Sequence, residues 1–316
     1  MALPASGQIS LSQVNTELGN SATALITMGS AAVRGLFEVA SGQIAMSNGY
    51  GKSNQFSFSI TTTQTDANLR TLAVSAGWDQ SSAVQATINS GVSINGSVAA
   101  NSTAALTIDG SWPGGVTLIN NGSIVGRGGN GSTASPFINP QNAGTAGGRA
   151  LLVSVAVTLQ NNGTIAGGGG GGGCGTYANE TVDCDMGEST SGSTLYGGGG
   201  GGGQSNTSFN SSGGSSAGLS SVNTCGTLIQ GTNGGTGTFS AAGAGGTGAS
   251  ASNCTCSGAN NTVSSGGSGG ARGASGSAGG NTGGLIGGPG GAAGQAISGN
   301  SNITYTATGT RVGPIV

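Results

Sequence analysis

The sequence predicts a fold that is mostly β and irregular, in which a small N-terminal helical docking module and a domain of short strands precede a glycine-rich sandwich of polyglycine II helices. Two unbroken runs of seven glycines, Gly167–Gly173 and Gly197–Gly203, dominate the second half of the chain. Only 5% of the 316 residues are charged, 34% are hydrophobic and the net charge is −2. Disordered chains normally combine low hydrophobicity with high net charge, so this composition favours an extended fold held by backbone hydrogen bonds.

Residues 1–53 form the predicted helical module. Ser10 and Gln13 have the spacing of a capping box, which marks the start of a first helix. A second short helix is predicted over residues 31–37, with Ser30 as its N-cap. A unit of this size buries only a marginal core, so we expect it to dock on something larger.

Residues 54–160 are predicted to form a β-rich spacer domain. Phe56–Ile60 alternates between apolar and polar residues as a strand does, and a helix is predicted over Asp66–Ala76 with Thr65 as its N-cap. The clearest internal repeat is VTLINNGSI at 116–124, which recurs 41 residues later as VTLQNNGTI. A strand, an Asn-Asn-Gly turn and an isoleucine are typical of the rungs of a stacked, solenoid-like β unit.

Residues 161–295 form the predicted glycine lattice, and residues 296–316 a C-terminal strand segment. A glycine run is ordinarily a flexible linker, but part of this zone has a three-residue glycine period. That period favours polyglycine II helices, which have three residues per turn and must pair their backbones with neighbours. The glycines expected inside the lattice are Gly170, Gly200, Gly267, Gly270, Gly273, Gly276 and Gly279.

Three glycine-poor insertions interrupt the glycine zone, at 174–196, 204–229 and about 250–264. We expect them to be surface loops at the ends of the lattice. They contain all five cysteines, an odd number that gives no clear disulfide framework and no zinc spacing, so the cysteines are interpreted as structural. Acidic residues cluster at 180–188 without the pattern of an EF-hand, which favours a solvated loop over a calcium site.

Several classes of function are excluded by what the sequence lacks. There is no histidine, no visible set of nucleophile, base and acid, and neither glycine run is followed by the Lys and Ser or Thr of a phosphate-binding loop. The seven Lys and Arg residues are spread singly, which argues against nucleic-acid binding. No signal peptide or stretch of 18 apolar residues is recognisable. We therefore expect a protein that is not an enzyme, with no cofactor, no metal and no membrane insertion.

Both ends of the chain carry motifs shared with a known class of proteins. SGQIS at 6–10, AAVR at 31–34 and GYGK at 49–52 open it, and GNSNIT at 299–304 with TGTR at 308–311 closes it. These motifs resemble bacteriophage tail proteins, and the glycine zone is similar to that of T-even-type tail-fibre tip adhesins. In that family a rigid polyglycine II lattice carries variable loops that touch the host receptor. Those adhesins are separate caps, whereas this chain has its own attachment-like module at 1–53.

The resemblance implies a receptor-binding protein of the virion, located in the tail or at the tail-fibre tip and made in the host cytoplasm. Its expected partners are other virion tail proteins, bound through residues 1–53, and a bacterial outer-membrane protein or glycan; a homotrimer is also compatible. The candidate receptor contacts lie in the insertions and are Tyr177, Glu180, Asp183, Asp185, Tyr196 and Phe209. The main alternative is a structural virion component of the baseplate, collar or capsid that binds no host molecule, and a bacterial surface filament is a weaker third reading.

Overall fold

The computed structural model of the chain describes residues 3–100, 102–135, 139–176, 178–181, 192–195, 197–216, 225–254 and 261–316. Its α-helices are α1 (Leu11–Glu17), α2 (Ala31–Phe37) and α3 (Leu69–Ser75). The strands of the first half are β1 (Gln55–Ile60), β2 (Gln64–Thr65), β3 (Ala67–Asn68), β4 (Ala83–Ile88), β5 (Ser93–Asn95), β6 (Ala104–Ile108), β7 (Val116–Asn120), β8 (Ser123–Val125), β9 (Arg149–Val153), β10 (Val157–Asn161) and β11 (Thr164–Ala166). The remaining strands are β12 (Ala178–Thr181), β13 (Gly192–Leu195), β14 (Cys225–Ile229), β15 (Ser250–Cys254), β16 (Asn261–Thr262), β17 (Ile297–Ser298), β18 (Ile303–Ala307) and β19 (Thr310–Val312).

The N-terminal module is organised by its two helix caps. In α1 the Ser10 hydroxyl accepts from the Gln13 backbone N–H while the Gln13 side chain accepts from the Ser10 N–H, so the predicted capping box is confirmed. The predicted N-cap of α2 is also confirmed, because the Ser30 hydroxyl accepts from the Val33 N–H. Both helices turn apolar side chains into a small core of their own: Leu3, Ile9, Val14, Val33, Leu36 and Phe37.

The strands outside the glycine zone form three parallel sheets that the chain visits in rotation. The first sheet has the order β1-β4-β7-β10-β18, the second β2-β5-β8-β11-β19, and the third β3-β6-β9-β17. Each passage through the three sheets adds one rung, and successive rungs stack into what we call the solenoid. The internal repeat lies in register, with Thr117 beside Thr158 and Ile124 beside Ile165, so the predicted stacking of the two copies is confirmed.

The interior of the solenoid is a continuous apolar core. Its strands alternate in burial, and the inward side chains of successive rungs stack, including Leu106, Leu118, Ile124, Leu151, Leu159 and Ile165, all of which are fully buried. The corner after the first sheet is held by buried amides. The Asn120 amide donates to Asn161 Oδ1 at 2.7 Å, and the Asn161 amide donates to the Thr308 carbonyl at 2.8 Å. These bonds satisfy polar groups that would otherwise be costly to bury.

The glycine zone is packed against itself through its backbone. We call the extended segments of 126–148 and 167–296 the glycine body; the two seven-glycine runs within it have no helix or strand assignment and are buried. Consecutive N–H groups of one run donate to different neighbours: Gly170 to Ala274, Gly171 to Thr145 and Gly172 to Gly201, at 2.7–2.9 Å. The run is therefore surrounded on several sides and is not a linker.

The predicted fold class is wrong. The structure consists mainly of parallel-strand sheets with three helices, and in the described part of the chain no polyglycine II helix sandwich is shown. The reason is that glycine at every third residue indicates only that other backbone segments lie close by. Any extended conformation allows such close approach, so the spacing does not specify a polyglycine II helix. The sequence also did not indicate that the parallel sheets continue after the glycine zone. Strands β17, β18 and β19 add the next strand to each sheet, beside β9, β10 and β11.

The helix predicted over Asp66–Ala76 is shorter than expected and has a different cap. It begins at Leu69, and the Asn68 side chain accepts from the Thr71 N–H at 3.1 Å. Asp66 has a φ of 47° and instead accepts a bond from the Ser97 N–H of the next rung. The preceding residues pair with β6 as β3, so sheet pairing overrides helix propensity at this end.

The glycine contacts predict a graded response to added methyl groups. A Cβ at position 170 would overlap the backbone carbonyl of Gly291, whereas one at position 235 would have its nearest neighbour, Ala244 N, at 3.1 Å. We expect Gly170→Ala to lower the free energy of unfolding by about 3 kcal/mol or more, which outweighs the gain of about 0.4–1 kcal/mol from a stiffer unfolded chain. Gly235→Ala is the matched control and should change stability by about 1 kcal/mol or less. Thermal or denaturant unfolding measures both, and equal stability of the two variants would contradict close packing of the run.

Candidate functional site

The glycine body has one end fixed on the solenoid, which we call the solenoid end. Here the Gly126 N–H donates to Ala166 at 2.9 Å and the Gly167 N–H to Val312 at 3.0 Å, so the first residues of the body continue the strand pairing of the second sheet. The Asn206 amide crosses from the body to the Gly96 carbonyl at 2.7 Å. These bonds make the junction part of the fold and leave its backbone largely occupied.

The opposite end of the glycine body, the loop end, is where its segments leave and re-enter. The run that starts beside Val312 ends here: the Cys174 carbonyl accepts from the Gly288 N–H at 2.8 Å, and the Gly175 N–H donates to Gly198 at 3.0 Å. Gly198 in turn donates to Ser264 at 3.1 Å. At this level the chain leaves the body after residues 135, 176, 216, 249 and 280, and it re-enters the body at residues 141, 197, 231, 263 and 287. Segments far apart in sequence are thereby brought to one face.

Small antiparallel elements stand on the loop end. Strands β12 and β13 pair with each other, and β14, β15 and β16 form a three-stranded sheet in which Cys225 lies opposite Cys254. Residues 281–286 make a tight turn, closed by a bridge between Thr282 and Leu285. Gly283 and Gly284 in this turn have φ values of 58° and 82°, which favour glycine. The side chain that follows, Ile286, is 51% exposed.

The predicted receptor-contact residues are only partly placed. Tyr177, Asp183, Asp185 and Tyr196 lie outside the described residues. Glu180 belongs to β12, so its backbone stands on the loop end. Glu180 and the four residues outside the described ranges stay predictions.

Phe209 was the sixth predicted contact, and the structure places it at the solenoid end. Its ring lies 5.9 Å from the Arg127 guanidinium carbon, and its N–H donates to Asn206 Oδ1 at 2.9 Å. Arg127 also donates to the Ser97 carbonyl of the solenoid and to the Asn210 carbonyl, at 2.9 and 3.1 Å. Phe209 therefore packs in the junction and is not brought together with the loops.

A second arginine ties two turns of the solenoid end together. Arg272 lies 4.1 Å over the Phe239 ring and donates to the carbonyls of Ser205 and Phe239. Burial lowers the pKa of Arg272 from its usual value, but a guanidinium stays charged at neutral pH. Sequence analysis missed this role because isolated arginines in a glycine-rich zone give no pattern. It also missed the 281–286 turn, whose signal is the Leu285-Ile286 pair that interrupts the glycines.

The glycines predicted to lie in the lattice are crowded by backbone carbonyls. A Cβ at Gly170, Gly200, Gly267, Gly270, Gly276 or Gly279 would overlap, respectively, the carbonyl oxygen of Gly291, Gly172, Ser277, Ala274, Gly171 or Cys174. Gly273 differs, because it has a φ of 65° and lies in a turn beside Gly313. These positions thus need glycine for two separate reasons, close approach and positive φ.

Titratable chemistry is sparse within the described ranges. Cys174 is fully buried, and burial raises the pKa of its thiol, which leaves it neutral and packed between Gln141 and Asn142. No group of three or more His, Cys, Asp or Glu in these ranges could hold a metal ion. Among the same residues, no helix is long and apolar enough to cross a membrane.

A stacked β core that supports a rigid body with loops gathered at its outer end defines a display protein, one that binds other molecules through loops on a fixed scaffold. A family model described as phage tail fibre adhesin Gp38 matches residues 55–316, and the chain belongs to this family. It is therefore a receptor-binding adhesin of a bacteriophage tail fibre, and part of the virion. Membership of an adhesin family favours the receptor-binding hypothesis over a structural component that binds no host molecule.

Two further comparisons complete the picture. A chain in the crystal structure of the gp37–gp38 adhesin tip complex of the bacteriophage S16 long tail fibre aligns over 99% of this chain and 100% of its own length, at 20% identity and a TM-score of 0.49. That agreement is too low to add weight, so the assignment rests on the family match. No curated protein sequence matches the chain significantly.

The junction arginine gives a test of how the glycine body is fixed. We expect Arg127→Ala to lower the free energy of unfolding by about 1–3 kcal/mol, because two carbonyls lose a charged donor. Arg311→Ala is the matched control: Arg311 lies 4.9 Å over Tyr305 on the last rung, and its loss should cost about 0.5–1 kcal/mol. Chemical denaturation measures both, and a loss at Arg127 no larger than at Arg311 would contradict its role in the junction.

Proposed function

We propose that the loop end of the glycine body binds the bacterial receptor and that the N-terminal module attaches the adhesin to its fibre. The observation that carries the proposal is the separation of the two ends. The solenoid end is bonded to the core, for example through Asn206 to Gly96 and Arg127 to Ser97, whereas stretches from five parts of the chain leave and return at the loop end. A receptor that approaches this face meets loops from all five.

The rigidity of the glycine body supports recognition by these loops. The residues at the base of the loops are hydrogen-bonded to neighbouring segments. For example, the Gln141 N–H donates to the Ile286 carbonyl at 3.1 Å, which joins the ends of two loops. Anchored loops lose less conformational entropy on binding than loops on a mobile support. Main-chain bonds at the base of the loops, such as Gly175 N–H to Gly198, do not depend on the loop side chains and remain when the loop sequence changes.

The chemistry of the chain indicates the kind of receptor contact. Only 5% of the residues are charged and the net charge is −2, so long-range attraction is weak. Short-range polar and apolar contacts from Tyr, Asn, Ser and exposed aliphatic groups suit an outer-membrane protein or a glycan. We propose that the protein acts by such binding alone, without a chemical step.

The N-terminal module has exposed apolar groups suited to attachment. Leu25 is fully exposed (100%) and Leu11 is 42% exposed. Neither leucine belongs to the small apolar core of the module. We infer that these two leucines belong to a surface that a partner covers. We propose that this partner is the tail fibre chain of the same virion.

Receptor binding at the loop end is tested with a matched pair of exposed apolar residues. Ile286 (51% exposed) lies at the loop end and Phe239 (46% exposed) at the solenoid end. We expect Ile286→Ser to weaken binding of the purified protein to host cells roughly tenfold, as for a contact residue in an interface. Phe239→Ser should leave cell binding unchanged once folding is verified. A loss at Phe239 with none at Ile286 would place the receptor contact at the wrong end for this proposal.

Attachment through the module is tested separately. We expect Leu25→Ser to weaken binding to the purified fibre chain roughly tenfold and to leave binding to host cells unchanged, because the loop end is untouched. Val74→Ser is the control, since Val74 is 40% exposed on α3 outside the module. Both affinities can be measured by calorimetry or flow cytometry. Unchanged fibre binding by the Leu25 variant would rule this residue out as an anchor.

A further inference from the structure

The first rung of the solenoid ends in a regular strand edge. Strand β1 stands at the end of the first sheet and pairs only with β4 on its inner side, over six residues in unbroken register. In the part of the chain that the structure describes, no strand pairs with its outer side. Such an edge offers a row of backbone donors and acceptors to any other strand.

The pairing geometry identifies which groups point outward. The Asn89 N–H donates to the Ile60 carbonyl at 3.1 Å, so Ile60 faces β4. In a parallel ladder the backbone N–H and C=O groups of alternate residues point to the same neighbouring strand. The backbone groups of Phe56 and Phe58 therefore also point to β4. The N–H and C=O groups of Ser57 and Ser59 therefore point outward, and both side chains are exposed.

The other end of the same sheet is protected, which makes β1 distinctive. The pairing of β10 with β18 shifts register between Leu159 and Gln160, which leaves Thr306 as an extra residue on the outer strand. Arg311 also lies over the ring of Tyr305 on that strand. Bulges and charges are common devices that prevent edge-to-edge pairing. Strand β1, with the sequence QFSFSI, has no bulge, charge or proline.

The N-terminal module leads directly onto this edge. Glu17 at the end of α1 accepts bonds from the Ser53 hydroxyl and the Asn54 N–H, at 2.8 and 3.0 Å, which fixes the residues just before β1. A fibre chain that binds the module near the end of α1 would therefore lie beside the start of the strand. The rings of Phe56 and Phe58 are only partly buried at this end of the core, so a covering strand would bury apolar surface as well.

We propose that the outer edge of β1 pairs with a β-strand of the tail fibre chain, so that the fibre extends the first sheet of the solenoid. This inference rests on the proposed attachment of the module to the fibre and adds a second, main-chain contact to it. Main-chain hydrogen bonds would supply affinity and a fixed register, as in other cases of strand addition. A second copy of this chain is the competing occupant of the edge.

The decisive variant removes an outward donor without touching the inner ladder. Ser57→Pro deletes an N–H that points away from β4, and proline is tolerated on the outer side of an edge strand. We expect it to weaken binding of the full-length protein to the purified fibre chain about tenfold or more. Ser57→Thr is the matched control, because it keeps the N–H and has high strand propensity, and it should bind the fibre as the parent does. Thermal unfolding verifies that both variants are folded.

Hydrogen exchange reads the same contact without a substitution. In the adhesin alone, the amides of Ser57 and Ser59 should exchange fast and those of Phe58 and Ile60 slowly. In the complex with the fibre chain, Ser57 and Ser59 should become protected. Fibre binding with no such protection would overturn the edge contact and leave the proposed attachment through Leu25 intact. If the adhesin alone formed a dimer and Ser57→Pro dissociated that dimer, the fibre contact would be overturned in favour of pairing between two copies of this chain. Binding to host cells should be the same in all variants, which separates this test from receptor recognition.

Discussion

Backbone-to-backbone hydrogen bonding at close approach is the constraint on which the structure depends. In the glycine body, carbonyl oxygens stand where a side chain would begin, as at Gly200 beside Gly172 and Gly276 beside Gly171. Glycine is costly to order because it has the most freedom in the unfolded chain, and a glycine segment buries no side chains. What offsets this cost is main-chain pairing: each N–H group of Gly167–Gly173 and of Gly198–Gly203 donates to a carbonyl of a neighbouring segment.

The solenoid supplies what the glycine body lacks. Its rungs use the same main-chain pairing but add inward side chains such as Leu118 and Leu159, so apolar burial contributes stability there. The chain leaves the solenoid for the glycine body after β8 and again after β11, and it returns at β9 and at β17, so both segments of the body are fixed at each end in adjoining rungs. Arg127 then bonds one turn of the body to the solenoid, and Arg272 ties two turns of the body to each other. A domain with little hydrophobic driving force is thereby stabilised by the core on which it is mounted.

Local signals in the sequence were more informative than the overall pattern. The Ser10 and Gln13 capping box and the 41-residue repeat were recognisable because each depends on a few residues at fixed spacing. The helix at Asp66 was misplaced because pairing of β3 with a rung 39 residues later outweighs propensity. The predicted fold class was wrong because the spacing of the glycines indicates that backbones pack closely and does not indicate which backbone conformation they adopt. Among the predicted receptor contacts, Phe209 belongs to a glycine-poor insertion like the others but lies at the solenoid end. The end at which an insertion lies depends on the path of the chain, which the sequence does not show.

This separation of ends explains how one chain can hold its place in a virion while its recognition surface changes. A substitution in a loop at the loop end leaves the main-chain bonds of the glycine body in place, such as those from Gly175 to Gly198 and from Gly288 to Cys174. A substitution at the solenoid end meets specific side chains, such as the Asn206 amide on Gly96 or the Arg127 guanidinium on Ser97. We therefore expect more tolerance to substitution in the loops beyond these main-chain bonds than in the side chains that join the body to the solenoid. A receptor-binding protein that must follow changes in its host benefits from having its contacts at the tolerant end.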